Sequence, residues 1–467
     1  MENSNTIGIT SHDRAGSIVG EGAASQSDRR VGIIGLGYVG LTLATVLADV
    51  GFRVFGIEKR REVVDATNAG RPHFSEMGLA ETLSRVVSGG QLTAAEAFSP
   101  DMACDVYIIT VGTPLGADGA ARLDMIEAAT RQVAGHMREG ALVILRSTVK
   151  IGTARLTVAP ILAATGKGFS IAMCPERTLE GNALHELREL PQIVGADDQP
   201  TRDRASALFR NLTNSIVQVS GLESAELVKL VDNTFRDVQF GFANEVARIC
   251  DAFGINAHEV ISAGKLGYKR TNVPLPGPVG GPCLEKDPHI LAQSARERGI
   301  ELDIAPAARK VNERQPGETA GFIIDEMDRR SLPPDSRVAV LGLAFKGVPA
   351  TDDLRGSMSL KIIAELCAAR PTLQFGLFDP VIAPDELALS LPQHQVHRSL
   401  EDAVAGAALV VICNNHPALA ASSPRSISQH MVPGGFIYDY WNNFSNLQAQ
   451  EVQGIYGAVG NRVAVSR

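Results

Sequence analysis

The chain has no CxxC pair, and its six cysteines (Cys104, Cys174, Cys250, Cys283, Cys367, Cys413) fall in no Cys/His cluster with zinc spacing. No metal site is therefore expected. Scattered thiols point to a reducing compartment, the cytoplasm. Nor is there any apolar run near the roughly 20 residues that a membrane helix needs, so no membrane partner is expected. Positive charge is not in excess: 44 Lys and Arg face 52 Asp and Glu, a net charge of -8. That removes the electrostatic footprint of a nucleic-acid-binding protein. Residues 1–29 lack an apolar stretch; they are polar and rich in Ser and Gly, and read as a disordered tail rather than a signal peptide. What remains is ordinary soluble composition, 45% hydrophobic and 21% charged over 467 residues, enough for two or three domains.

The first ordered stretch carries a specific pattern. Val31-Gly32-Ile33-Ile34 is a short apolar run with β-branched residues, a buried strand. It enters Gly35-Leu36-Gly37-Tyr38-Val39-Gly40, a helix-like segment from Leu41 to Val50, a second strand at 53–57 and the acid Glu58. Strand, GxGxxG, helix, strand, acid is the layout of a dinucleotide site. Gly35 permits the tight turn, Gly37 lets the backbone approach a pyrophosphate, and Gly40 lets helix and strand pack closely. The helix N-terminus offers free N–H groups to phosphates. Glu58 suits ribose hydroxyls and repels a 2′-phosphate, which favours NAD over NADP. Further strands at 105–111 and 142–145 end beside Thr113 and Thr148, placing both threonines near the nicotinamide half of the cofactor. A strand at 170–173 delivers Cys174-Pro175-Glu176-Arg177 to the same edge, with Glu176 as a candidate base.

From Ser224 to Phe253 there is no proline, and Gly241 is the only glycine. Apolar residues recur at helical spacing, predicting one helix of roughly 30 residues, long enough to join domains or pack on a second subunit. Lys229 and Asn233 share one face of it. A Gly/Pro segment then leads to Val279-Gly280-Gly281-Pro282-Cys283-Leu284-Glu285-Lys286-Asp287. Two glycines bring backbone close to a ligand, and a thiol follows them.

After Pro333-Pro334 the first pattern partly returns. Strands at 338–341, 373–380, 408–412 and 436–441 echo the first half, but Gly342-Leu343-Ala344-Phe345-Lys346 replaces GxGxxG. Lys346 and Arg355 supply cations that suit an anionic ligand. The expected architecture is α/β: two Rossmann-like parallel-sheet domains joined by a long central helix. The expected bounds are a tail at 1–29, a dinucleotide domain at 30–215, a central helical segment with the cysteine loop at 216–330, and a second Rossmann-like domain at 331–467.

A nicotinamide site beside a thiol permits two successive oxidations, alcohol to aldehyde and enzyme-held thiohemiacetal to thioester, before hydrolysis. Lys229 and Asn233 would stabilise the oxyanion. Glu176, Thr148 and Asp287 would position or deprotonate water.

The motifs GLGYVGLTLA (35–44), CPERTLEG (174–181), AELVKLVDNTFRDVQFGFANE (225–245), GGPCLEKD (280–287) and GLAFKGVPATDDLRGS (342–357) resemble those of the UDP-sugar 6-dehydrogenases. The likeness covers residues 30 to 445. It implies an NAD domain, a central dimerisation segment, a UDP-binding domain and four-electron oxidation of a sugar C6 hydroxyl. By motif position Cys283 matches the nucleophile, Lys229 and Asn233 the oxyanion pair, and Asp287, Glu176 and Thr148 the remaining catalytic positions. Tyr38 and Val39 complete the cofactor turn. Glu180, Gly280, Lys346 and Arg355 fall on substrate contacts. Arg270 corresponds to an arginine that reaches a neighbouring subunit's substrate, in a loop one glycine shorter than the family's. Phe235-Arg236-Asp237 with Phe242-Ala243-Asn244-Glu245 resembles the branch acting on UDP-N-acetylmannosamine, ahead of UDP-N-acetylglucosamine and UDP-glucose. The resemblance implies a homodimer or higher oligomer and a product used in surface polysaccharides. A two-electron hydroxyacid dehydrogenase, or a nucleotide-binding protein without activity, would share the first domain but not need Cys283.

Overall fold

The computed structural model describes residues 30–445 and 454–462; the tail expected at 1–29 lies outside the described residues. Two sheets organise the chain. The first holds β1 (Arg30–Ile34), β2 (Arg53–Ile57), β3 (Leu92–Ala95), β4 (Val106–Ile109), β5 (Ala141–Leu145), β6 (Phe169–Met173), β7 (Gln192–Gly195) and β8 (Ile216–Val219). Their spatial order is β3-β2-β1-β4-β5-β6-β7-β8. Every pairing is parallel except β6 with β7. The central strands are buried on both faces by helices, which is why they read as unbroken apolar runs.

The second sheet holds β9 (Arg337–Leu341), β10 (Gln374–Phe378), β11 (Gln395–Val396), β12 (Leu409–Ile412), β13 (Phe436–Asp439) and β14 (Tyr456–Ala458), ordered β11-β10-β9-β12-β13-β14 and parallel throughout.

The two halves share their first turn atom for atom. Gly35 N–H donates to Ile57 O at 2.8 Å, and Gly342 N–H donates to Phe378 O at 2.8 Å. Both glycines have positive φ, 95° and 83°. Glu58 accepts the Leu36 N–H at 3.1 Å, and Asp379 accepts the Leu343 N–H at 2.6 Å. They diverge next. A helix starts at Tyr38 in the first half, three residues ahead of the Leu41 expected, but only at Met358 in the second. The intervening loop, 342–357, reaches across to the other sheet.

Two of the boundaries that differ from the sequence reading have a cause visible in the fold. β8 pairs with β7 from Gln192↔Ile216 to Gly195↔Val219, so the first sheet runs past residue 215. That ladder is a long-range contact which a four-residue apolar run does not announce. β4 stops at Ile109 rather than 111 because Thr110 turns its hydroxyl back onto Ile34 O and Gly35 O, at 3.0 and 2.7 Å.

The central helix spans Leu222–Phe253, 32 residues, and ends at Gly254 with φ 69°. At the usual helical rise it is about 48 Å long. Its polarity is inverted. Lys229, Asn233, Asp237 and Asn244 are buried, whereas Val231, Phe235, Phe242 and Ile249 are 47–60% exposed. Gly241 allows a close crossing with the helix Ile304–Glu313: a Cβ there would lie 3.0 Å from Ala308 Cβ.

The sheets face each other through their carboxyl ends. Tyr38 Oη donates to Asp352 Oδ1 at 2.8 Å, and the Ser75 N–H to Asp352 Oδ2 at 2.6 Å. Lys346 Nζ donates to Glu180 O at 2.5 Å. Gly181 meets the loop so closely that a Cβ would be 2.4 Å from Ala350 O.

Candidate active site

The glycine turn has the shape that a dinucleotide needs. A Cβ on Gly40 would sit 1.8 Å from Gly35 O, so only glycine lets the helix start here. A Cβ on Gly37 would meet nothing within 4 Å, so the backbone there faces open space. The helix at Tyr38 has no side-chain cap, leaving its first N–H groups, with that of Val39, for an anion. Glu58 stands at the end of β2, its Oε1 also accepting from Arg60 N–H at 3.1 Å. The residues present therefore fit NAD: a cradle for its phosphates and an acid for a ribose.

Across the mouth of the first sheet, one connected set gathers beside Cys283. Thr113 Oγ1 donates to Thr148 O at 2.5 Å, joining the ends of β4 and β5. Lys286 Nζ lies 3.5 Å from Thr113 Oγ1 and 2.7 Å from Asp287 Oδ1. Asn233 Nδ2 donates to Asp287 Oδ2 at 2.5 Å. The N–H groups of Lys286 and Asp287 both donate to Cys283 O, at 3.2 and 3.0 Å. That turn leads into the helix Asp287–Arg296, with Asp287 in its first turn where a negative charge is favoured.

Cys283 is accessible to solvent, yet protein surrounds it, as on the floor of a cleft. Burial first, and then the Asp287 carboxylate, push its thiol above the ordinary value; Lys229 and Lys286 pull the other way. Lys229 has no hydrogen-bond partner among the described residues and lies in electrostatic reach of both Cys283 and Glu176.

The glycines before the thiol dock it on the second half. A Cβ on Gly280 would lie 2.2 Å from Gly356 O, and one on Gly281 (φ 90°) would lie 2.6 Å from the Phe345 ring. The Gly281 N–H donates to Gly356 O at 3.0 Å. The loop is thus wedged between the mouths of the two sheets.

On the second mouth, Arg355 pairs with Asp353 at 2.7 Å and Glu180 at 3.4 Å, and lies 5.0 Å over the Tyr38 ring. Burial and the neighbouring Asp353 push the Glu180 carboxyl up to about 8. Burial lowers the Lys346 ammonium, with Glu180 opposing.

Two expectations change. Glu176 is not free to act as a base. Its Oε1 accepts the N–H groups of Arg177 and Thr178 at 2.6 and 2.7 Å, and its Oε2 accepts Arg146 Nε and Nη2 at 2.9 and 2.6 Å. All of a carboxylate's roughly four acceptor sites are filled. Burial acts to raise it, but Arg146 and the Thr178 N–H outweigh that and hold it below the usual range. Arg270 stands apart: it is exposed, stacked 4.8 Å over its own Tyr268, and no hydrogen bond or ion pair ties it to the cleft among the described residues.

Sequence reasoning missed Arg146 and gave Lys286 no task. The signal for Arg146 was an arginine directly after the apolar run of β5, a poor place for a solvated cation. For Lys286 it was a cation beside the helix-opening acid.

Comparisons with known proteins match most of the chain. Residues 29–213 match the NAD binding domain of the UDP-glucose/GDP-mannose dehydrogenase family, residues 223–314 its central domain, and residues 339–446 its UDP binding domain. The UDP-N-acetyl-D-mannosamine dehydrogenase of Pyrococcus horikoshii is 34% identical over 408 residues, covering 86% of this chain and 93% of that protein. That of Escherichia coli K12 is 31% identical over 427 residues, 86% and 97% of the two chains. The solved Pyrococcus horikoshii structure superposes with a TM-score of 0.83 at 32% identity, covering 93% of this chain and 100% of that one. A UDP-glucose dehydrogenase from Pyrobaculum islandicum gives 0.82 at 29% identity, covering 95% and 100%.

Proposed function

This chain belongs to the UDP-glucose/GDP-mannose dehydrogenase family and is an NAD-dependent UDP-sugar dehydrogenase, and on that footing we propose that it oxidises the C6 hydroxyl of UDP-N-acetyl-D-mannosamine to the uronate by way of Cys283. The observation that carries this reading is the placement of the Cys283 turn between two sheet mouths, with Asn233 and Asp287 bonded beside it.

The division of labour follows from the residues. The Gly35–Gly40 turn and Glu58 would hold NAD, which would supply the hydride acceptor for each of two oxidations. Lys229 and Asn233 stabilise the negative oxygen that develops at C6, in a site partly closed to water. The Cys283 thiolate adds to the aldehyde carbon and holds it. After the second oxidation the carbon is a thioester, which water cleaves to carboxylate and thiol. Asp287 and Thr148 place that water, and Glu176, locked to Arg146, shapes the wall behind Lys229. Gly280, Glu180, Lys346 and Arg355 bind the nucleotide sugar at the second mouth. Arg270 is proposed to act, if at all, on the substrate of an adjoining subunit.

The exposed apolar stripe of the central helix supports a homodimer or higher oligomer. Val231, Phe235, Phe242, Ile249 and Phe253 repeat at three- and four-residue sums along one face, the seam of a packed helix pair. A second copy fits it by symmetry. Six free cysteines suit the cytoplasm, where the uronate would serve as a precursor of surface polysaccharide.

The test is NADH counted against sugar consumed, across UDP-N-acetylmannosamine, UDP-N-acetylglucosamine and UDP-glucose. Two NADH per sugar, fastest with the mannosamine derivative, is expected. One NADH per sugar would make the chain a two-electron enzyme and remove the role given to Cys283.

A further inference from the structure

Behind the cleft, four buried polar side chains hold the Cys283 loop without touching the cleft itself. Asp237 and Asn244 come from the central helix, Arg309 and Asn312 from the helix Ile304–Glu313, and none is more than 1% exposed. Asn244 pairs with both backbone groups of one residue: its Oδ1 accepts the Gly277 N–H at 3.0 Å, and its Nδ2 donates to Gly277 O at 3.1 Å. Arg309 Nη1 donates to Leu284 O at 2.7 Å, and Nη2 lies 3.5 Å from Val279 O. The loop is thus gripped at positions 277, 279 and 284, on both sides of the thiol.

The four are also bonded to each other. Arg309 Nη1 donates to Asp237 Oδ1 at 2.7 Å. Asn312 Nδ2 donates to Asp237 Oδ1 and Asp237 O, each at 2.9 Å. Asn244 Nδ2 reaches Asn312 Oδ1 at 3.0 Å. Such a buried charged network is a poor source of stability compared with apolar packing of the same volume. Asp237 Oδ2 and Arg309 Nε are left without a hydrogen-bond partner among the described residues, but each of the four side chains is bonded to at least one other, and a buried set joined in this way holds its members in one arrangement.

We propose that Asp237, Arg309, Asn312 and Asn244 form a clamp that fixes the Cys283 sulfur against the sugar's C6, and so commits the aldehyde to the second oxidation. The inference rests on the reading of Cys283 as the nucleophile. The step the clamp governs is addition of the thiolate to the aldehyde. The S–C bond forms, the carbonyl π pair moves to oxygen, and that oxygen takes a proton equivalent to the one the thiol gave up. The first oxidation needs C6 and the nicotinamide in register but not the sulfur. Loosening the clamp therefore separates the two half-reactions, which a merely structural role would lower together. The four are positioning residues.

The experiment uses the full chain, NAD and whichever of the three UDP-sugars the wild type turns over fastest, with hydroxylamine present to trap free aldehyde. Arg309→Lys keeps the charge but cannot span Asp237, Leu284 O and Val279 O together. Asn244→Ala removes no charge, and carries the test if the first variant does not fold. Uronate formation is expected to fall about 100-fold, the cost of roughly an ångström of misplacement, while the first NADH falls by no more than about fivefold. Trapped aldehyde should become the main product. Equal loss of both half-reactions, unchanged stoichiometry, or failure of both variants to fold would each overturn the clamp. A wild type yielding one NADH per sugar would instead overturn the role of Cys283, and the clamp with it.

Discussion

Asn233 Nδ2 lies 2.5 Å from Asp287 Oδ2, and by that bond the central helix holds the turn that carries Cys283. The same carboxylate takes Lys286 on its other oxygen at 2.7 Å, so one buried acid ties helix, turn and first sheet together. Asp287→Asn keeps the shape but loses the charge that Lys286 faces. Uronate formation should fall about tenfold or more, since charge-assisted hydrogen bonds are worth roughly 1.5–3 kcal/mol. Steady-state NADH release under saturating substrate measures it.

Cys283→Ser should abolish uronate formation while NAD still binds, because the glycine turn and Glu58 follow β1 and β2, apart from the Cys283 turn. The wild-type thiol should react with iodoacetamide ever faster up to and beyond pH 9, the ordinary value being 9.0 and the shift upward. A reaction rate that levels off near pH 7 would contradict the raised thiol.

Glu58→Ala should weaken NAD by about tenfold and leave UDP-sugar affinity nearly unchanged, given the worth of a carboxylate's hydrogen bonds. Equal losses in titration calorimetry would argue against the first sheet as the cofactor's site.

Glu180 makes a prediction about pH. Its folded carboxyl titrates at about 8 against an ordinary 4.5. Between those values the folded chain holds a proton that the unfolded chain has released, so stability falls as pH rises through that window. Glu180→Gln removes the titration. Its urea midpoint should lose that part of the slope while the wild type keeps it.

Phe235→Asp combined with Phe242→Asp should leave a monomer in sedimentation, where the wild type is expected as a dimer or larger. Charges buried in an apolar seam cost far more than the seam's edge contacts return. An unchanged sedimentation coefficient would place the interface elsewhere.

Sequence alone determined the nine strands that form the centres of both sheets to within a residue or two, the glycine turn and the acid that follows it, because these depend on residues near in sequence; β3, β7, β8, β11 and β14 were not marked by it. β-branched runs, a positive-φ glycine and a helix without proline are local facts. The same holds for the thiol after two glycines, whose neighbours confirm why glycine is required: Gly356 O and Phe345 leave no room for a Cβ.

Only the tertiary structure decided what those residues face. The apolar periodicity of the central helix announced an apolar face, but only the fold shows that Phe235 and Phe242 are exposed while Lys229 and Asn233 are inside. A helix's period says that it has two faces but not which partner each face meets. Glu176 looked like a free acid until Arg146, thirty positions away, filled its oxygens. β8 joined the first sheet through a ladder to β7 that no local pattern marks. In each case the outcome turned on a contact between distant segments, and such contacts exist only once the chain has closed on itself.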